Sequence, residues 1–304
     1  MDWKSKRVRA ILESALMEDK AAQDVTTALT VDPKLRATGT IIAKQACVVA
    51  GLGSIPVFLE LFAAMAEKAG KPGFGRFQVI SHPEIFDGVK VKKGASIAVI
   101  RWNAAALLST ERVILNLMQR MSGIATLTNE YVKAVSSVAS KGKVQTKVLD
   151  TRKTIPGLRS LDKYAVCCGG GTNHRLDLAD GILIKNNHIA LGGGMPVVLK
   201  KALAGKRPKQ LVQVEVRSQD EMEQAIAGGA ESILLDNMTP AQVKKALKQI
   251  RAGLPGVPVE ASGNMNLQTI GKYAKTGVDF ISVGALTHSA IAVDLSMRIA
   301  ADAS

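Results

Sequence analysis

Apolar positions along the chain fall into two regimes that change near residue 144. Val8, Ile11, Leu12, Ala15 and Leu16 recur at helical spacing and predict a helix over residues 5–17. Asp24-Val25-Thr26-Thr27 reads as a turn or a helix cap. Residues 38–50 alternate weakly and predict a strand, and residues 55–69 predict an apolar helix. Short strands follow at 78–80, 89–91 and 96–100, the last two joined through Lys92-Lys93-Gly94, with a loop at Lys71-Pro72-Gly73-Phe74-Gly75. From about 104 to 138 the pattern is helical, with a break expected near Gly123. This first part reads as an α+β layer.

Beyond residue 144 a repeating unit takes over. Apolar runs sit at 147–149, 182–184, 211–216, 232–235, 257–259 and 280–283, and helical patterns such as 219–227 and 240–250 fill most of the gaps. Alternating strand and helix argues for βα units on a parallel sheet. The runs end, in order, on Asp150, Lys185, Glu215, Asp236, Glu260-Ala261-Ser262-Gly263 and Gly284. Charge gathered at the C-terminal ends of parallel strands is expected of a barrel with its active site on that face. A doubly wound open sheet is the alternative, but no GxGxxG follows a strand and no GxxxxGK[ST] occurs.

Composition narrows the class. The 304 residues are 47% hydrophobic and 22% charged, which suits a globular chain with one large core or two modest ones. No apolar run reaches the length of a membrane span, and the polar start, Met1-Asp2-Trp3-Lys4-Ser5-Lys6-Arg7, lacks the apolar core of a signal peptide. The expectation is a cytoplasmic protein with no membrane partner. Cys47, Cys167 and Cys168 fit neither a disulfide framework nor metal spacing and read as small buried side chains. The net charge of +14 is the unusual property. Nucleic-acid binders share it, as do enzymes that gather small polyanions. Only 4% of residues are aromatic and no long basic run occurs, so small anions are the better match and no nucleic-acid partner is expected.

The densest chemistry lies in residues 147–188. Asp150, Arg152 and Lys153 follow one buried run, and Lys185 and His188 follow the next. Gly169-Gly170-Gly171 and the pair His174-Arg175 lie between them. The glycines read as a tight turn that aims His174 and Arg175, rather than as a phosphate cradle. Gly192-Gly193-Gly194 reads as an exposed loop, with a lid as one option. Such a cationic rim calls for an anionic ligand.

Those residues also carry a resemblance. Glu111-Arg112 with Leu115-Asn116, Met121-Ser122-Gly123-Ile124-Ala125-Thr126, Leu149-Asp150-Thr151-Arg152-Lys153-Thr154 and Pro156-Gly157-Leu158-Arg159 come first. Asn173-His174-Arg175, Ile184-Lys185 with Asn187-His188, Val214-Glu215-Val216 and Leu234-Leu235-Asp236-Asn237 follow. Glu260-Ala261-Ser262-Gly263-Asn264 and the run from Thr276 to Thr287 complete the set. In this order and spacing, over most of residues 105–297, the chain closely resembles the quinolinate phosphoribosyltransferases, also called carboxylating nicotinate-nucleotide pyrophosphorylases.

The resemblance implies an α/β fold: an N-terminal α/β sandwich domain over 1–113 and an incomplete parallel α/β barrel over 114–304, whose final helix packs back on the first domain. It implies a homodimer, with higher assembly left open, in which one subunit completes the other's active site. The implied reaction joins quinolinate and phosphoribosyl pyrophosphate to give nicotinate mononucleotide, pyrophosphate and carbon dioxide, with Mg²⁺. Guanidinium groups suit the two carboxylates of quinolinate. By resemblance these are Arg112, reaching into the neighbouring subunit, with Arg152 and Arg175; Thr151, Lys153, His174 and Lys185 stand beside them. Glu215 and Asp236 are expected to hold Mg²⁺ or ribose hydroxyls, although Asp236 also reads as a helix entry. Ser262-Gly263-Asn264 and Gly284-Ala285 are expected to take the 5′-phosphate in the loops after the last two strands. Lys153 and His174 are the two candidates for returning a proton after decarboxylation.

Two departures stand out. Family members often carry an acid where this chain has Asn186, and Arg101-Trp102-Asn103 occupies a stretch expected to hold glycine and smaller residues, which puts the hinge near Arg112 in question. Three alternatives remain. A related phosphoribosyltransferase with another aromatic acceptor shares the fold. A barrel aldolase would use Lys185 as a Schiff-base amine. A nucleic-acid binder would show steep salt dependence.

Overall fold

The computed structural model describes residues 1–80, 82–138 and 146–302. The first half of the chain forms α1 (Lys6–Glu18), α2 (Val25–Thr30), β1 (Arg36–Ala43), β2 (Cys47–Val48), α3 (Ser54–Lys68), β3 (Gln78–Ile80), β4 (Lys90–Val91), β5 (Ser96–Asn103) and α4 (Ala104–Ser136). The second half forms β6 (Lys147–Leu149), α5 (Arg159–Cys168), β7 (Ile182–Ile184), α6 (Asn186–Gly192), α7 (Met195–Gly205), β8 (Val212–Val216), α8 (Gln219–Ala227), β9 (Ser232–Asp236), α9 (Pro240–Gly253), β10 (Val259–Ser262), α10 (Ile270–Ala274), β11 (Phe280–Ser282), α11 (Ala285–His288) and β12 (Leu295–Ala301). Two compact units result: Met1–Leu127 with Ile155–Gly170 and Ala290–Ser304, and Thr128–Thr154 with Gly171–Ser289. No helix among the described residues is long and apolar enough to cross a membrane.

The first unit is built on a four-stranded antiparallel sheet in the order β12-β1-β5-β3. Its core includes Leu12 and Leu16 of α1, Ile55, Phe58 and Leu59 of α3, Ile41 of β1, Ile97 and Ile100 of β5 and Leu107 of α4, all fully buried. Each such side chain contributes roughly 1.5–3 kcal/mol on leaving water. The last element is the strand β12, where a final helix was expected. Its seven residues pair with β1, so the end of the chain belongs to the first unit and the division is not one cut in sequence.

Three local expectations change for physical reasons. The strand expected over 38–50 is two strands, and β2 leaves the sheet of β1 to pair with β4. The helix α4 runs unbroken through Gly123, because that glycine serves close packing. A Cβ there would lie 2.2 Å from the carbonyl oxygen of Ile291. Arg101-Trp102-Asn103 closes β5 and starts α4: Trp102 is fully buried against Phe62 with ring centroids 5.5 Å apart, and Asn103 accepts the Ala106 N–H at 3.2 Å.

The second unit holds a six-stranded parallel sheet in the order β6-β11-β10-β9-β8-β7. From β7 to β11 each strand neighbours the next in sequence, and β6 lies beside β11. That is the cyclic order of a barrel lacking one seam, between β6 and β7. Among the described residues no strand pairing closes that seam. A single residue, Thr172, makes a parallel bridge to Leu149 of β6 and covers part of it. Gly192-Gly193-Gly194 is a tight junction between α6 and α7 and not a free loop. Gly193 and Gly194 take φ of 93° and 92°, conformations open to glycine.

Candidate active site

Short parallel strands leave their C-terminal residues on one rim, and here the rim opens on a cleft of about 820 Å³. Thr151, Arg152, Lys153, His174, Arg175, Lys185, Glu215, Asp236, Ser262, Gly263, Asn264, Gly284 and Ala285 all line it. Along the sheet, the cationic residues after β6 are followed by the small-residue loops after β11 and β10. The carboxylates of β9 and β8 come next, then Lys185 after β7. Arg112 lies in the first unit on α4; its side chain is 63% exposed and stands 3.8 Å from Glu111.

The cationic end sets two guanidinium groups side by side, with Asp180 as a partial counter-charge to Arg175. Burial, and then the neighbouring Arg152, push the Arg175 guanidinium below its ordinary pKa. The Nε of Arg152 is buried with no hydrogen-bond partner among the described residues. Two adjacent guanidinium groups with an unmet donor are costly unless a ligand supplies negative charge. Arg175 is aimed by its own Nη1, which donates to the Gly181 carbonyl at 3.2 Å just before β7. Lys153 is fixed through its backbone, since Thr287 Oγ1 donates to its carbonyl at 2.8 Å. The backbone N–H of His174 donates to the buried carboxylate of Asp150 at 2.8 Å, which ties the loop to the end of β6.

The opposite end is anionic. Lys185 Nζ lies 2.8 Å from Glu215 Oε2. Burial raises the pKa of Asp236, and the nearby Glu215 raises it further. Asn237, at φ 54°, donates its Nδ2 to Asp236 at 2.9 Å, and its N–H donates to the Ser262 carbonyl at 2.9 Å. The helix entry expected at Asp236 is made instead by Thr239, whose hydroxyl accepts the Gln242 N–H at the start of α9. Asp236 is thereby left to face the cleft. No group of three or more His, Cys, Asp or Glu among the described residues is arranged to hold a metal. A mutually repelling carboxylate pair fits Mg²⁺, which keeps much of its water and is completed by substrate phosphates. The loop after β10 is shaped by glycine. Gly263 has φ 105°, and a Cβ there would lie 2.3 Å from Asn237 Oδ1.

Several residues that the sequence reading did not assign also line the cleft, including Glu260, Asn237, Met265, Ser282 and His288. One signal was available for the floor. In Val212-Gln213-Val214-Glu215-Val216 the polar residues alternate, so Gln213 shares the face of Glu215. His188 does not line the cleft; its Nδ1 accepts the Lys185 N–H at 2.9 Å and closes the first turn of α6.

Comparison with known proteins agrees along the chain. The family model described as quinolinate phosphoribosyl transferase, N-terminal domain, matches residues 24–122, and its C-terminal counterpart matches residues 124–298. The chain is 39% identical over 293 residues to the probable carboxylating nicotinate-nucleotide pyrophosphorylase of Bacillus subtilis strain 168, covering 96% of this chain and 93% of that protein. It is 37% identical over 293 residues to the carboxylating nicotinate-nucleotide pyrophosphorylase of Mycobacterium leprae, covering 96% of each. The crystal structure of NadC from Streptococcus pyogenes superposes with a TM-score of 0.88 at 34% identity over 100% of both chains.

Proposed function

The chain belongs to the quinolinate phosphoribosyltransferase family, and we propose that it is the decarboxylating enzyme of that name. It transfers the phosphoribosyl group of phosphoribosyl pyrophosphate to quinolinate, yielding nicotinate mononucleotide, pyrophosphate and carbon dioxide for NAD biosynthesis. The observation that carries this reading is the pair Arg152 and Arg175, with a buried guanidinium nitrogen left unmet, across one cleft from the carboxylates Glu215 and Asp236. A dicarboxylate suits the first end, and a polyphosphate ester bridged by a cation suits the second.

In this reading Arg152 and Arg175, with Lys185 and Thr151 beside them, hold the two quinolinate carboxylates and turn the ring nitrogen toward the ribose. The small-residue loops at Ser262-Gly263-Asn264 and Gly284-Ala285 offer backbone N–H groups to the 5′-phosphate. Glu215 and Asp236 are the residues that would hold Mg²⁺, which when bound neutralises the charge of the departing pyrophosphate. As the bond to pyrophosphate breaks, positive charge grows on the ribose, and the Glu215 carboxylate stabilises it. The ring nitrogen forms the new bond, so no enzyme nucleophile is required. The carbon–carboxylate bond at ring position 2 then breaks; its electron pair stays on the ring carbon beside the cationic nitrogen, and a proton from the protein closes the reaction.

The protein works in this reading as a Mg²⁺-dependent homodimer in the cytoplasm, with the exposed Arg112 of one copy reaching the cleft of the other. The test is direct. Protein mixed with quinolinate, phosphoribosyl pyrophosphate and Mg²⁺ should release nicotinate mononucleotide and carbon dioxide in equal amounts. Turnover of nicotinate in place of quinolinate, with no carbon dioxide, would assign a different acceptor.

A further inference from the structure

Beneath the cationic end of the cleft lies a buried polar group that the reaction as described does not use. Glu260, in the middle of β10, is 2% exposed. Its Oε2 accepts from Gln213 Nε2 at 2.8 Å, a bond from β8 that skips the intervening β9. The same Oε2 lies 3.2 Å from Nε2 of His174, while Oε1 has no hydrogen-bond partner among the described residues. The other nitrogen of that ring is also engaged, because His174 Nδ1 accepts the backbone N–H of Arg175 at 2.7 Å. An atom that accepts a hydrogen bond carries no proton, so the proton of the neutral ring sits on Nε2, facing the carboxylate.

We infer that Glu260 is a positioning residue: anchored by Gln213, it locks His174 as the Nε2–H tautomer and so fixes the backbone that presents Arg175 to the substrate dicarboxylate. This inference rests on the quinolinate reading for the identity of that substrate. Its consequence is that both ring nitrogens are taken up by the protein. His174 therefore holds the site in shape and does not return the proton to the ring carbon, which leaves Lys153 for that step. A hydrogen bond on one ring nitrogen sets the tautomer and orientation that the other nitrogen presents.

The test uses the intact protein. Nitrogen-15 spectra of histidine-labelled enzyme, with His174 assigned by comparison with His174→Gln, should show its Nδ1 unprotonated and its Nε2 protonated. Glu260→Gln keeps an acceptor oxygen for both partners, and should hold the quinolinate Kd within about threefold. Glu260→Ala should weaken quinolinate binding about thirtyfold or more, by analogy with the loss of a partner that orients a histidine, while the phosphoribosyl pyrophosphate Kd stays within about threefold. A His174 ring protonated on Nδ1 in the wild type would overturn the inference without any variant, which covers the case of Glu260→Ala failing to fold. Normal quinolinate affinity in a folded Glu260→Ala would overturn it equally. Failure of wild-type protein to bind quinolinate at all would instead overturn the functional reading.

Discussion

Lys185 Nζ stands 2.8 Å from Glu215 Oε2, joining the ends of the neighbouring strands β7 and β8. The lysine side chain is 44% exposed and the glutamate 10%, so the glutamate is the partner whose charge needs compensation. Asp236, on the next strand, is itself pushed up by burial and by Glu215. Lys185 thus eases a repulsion between two carboxylates as well as lining the cleft. Lys185→Met is expected to lower kcat/KM by about 10–100-fold, with the KM for phosphoribosyl pyrophosphate rising. Steady-state kinetics at varied phosphoribosyl pyrophosphate and Mg²⁺ measure this, and an unchanged KM for phosphoribosyl pyrophosphate would contradict it.

Arg152 carries the unmet buried nitrogen, so its loss should fall on the dicarboxylate alone. Arg152→Ala is expected to cost about 2–5 kcal/mol of quinolinate binding, as removal of one partner of a buried charge pair does. Titration calorimetry should show quinolinate binding nearly abolished and phosphoribosyl pyrophosphate binding within about threefold. Near-normal quinolinate affinity would sink the assignment.

Asp236 couples function to stability with a definite sign. Its folded pKa lies above the ordinary 3.8, because burial and then Glu215 disfavour the charged form. The folded chain therefore holds this proton to higher pH than the unfolded chain. No penalty exists well below 3.8; it grows as pH rises from there through the raised value. Asp236→Asn should raise the Tm of the Mg²⁺-free protein at pH 7 by roughly 1–3 °C, with the gain vanishing near pH 3. The same variant should lose most Mg²⁺-dependent turnover. Thermal melts across pH check the first, and a lower Tm at pH 7 would reverse the sign.

Arg120 grips Asp162 with two parallel hydrogen bonds in the first unit, Nε to Oδ1 at 2.9 Å and Nη2 to Oδ2 at 2.7 Å. The carboxylate is 1% exposed, so removing the arginine strands a buried charge. Arg120→Met is expected to cost about 3–5 kcal/mol in urea unfolding. Pairing it with Asp162→Leu should recover part of the loss, since both charges are then gone. A double variant worse than the single one would show that the pair is not the source.

Gly263 is held at φ 105° against Asn237 Oδ1. Gly263→Ala should displace the loop after β10 and raise the KM for phosphoribosyl pyrophosphate about tenfold or more, for a strain of order 1–3 kcal/mol. The quinolinate Kd, measured alone, should change little.

The order of βα units was readable because a buried parallel strand is a short apolar run and its first polar residue marks the rim. Asp150, Lys185 and Asp236 follow or end such runs directly. The glycine at 123 misled for an equally physical reason. Helix propensity counts it as a breaker, whereas the backbone of Ile291, far along the chain, requires a residue with no Cβ there. The final helix that the resemblance implied is a strand, whose partner β1 lies at the other end of the chain, beyond the reach of local pattern.

Local order along the chain thus settled the elements, their rim residues and the cationic character of residues 147–188, since period and composition act over a few residues. The role of Glu260 came from the folded molecule alone. Its partner Gln213 lies 47 residues away on a strand that is not its neighbour, and His174 reaches the same carboxylate from a loop. A buried carboxylate mid-strand looks like any polar residue on one face until the barrel brings its partners within hydrogen-bonding range. Residues 147–188 supply the positive charge; the packing beneath them decides which way that charge points.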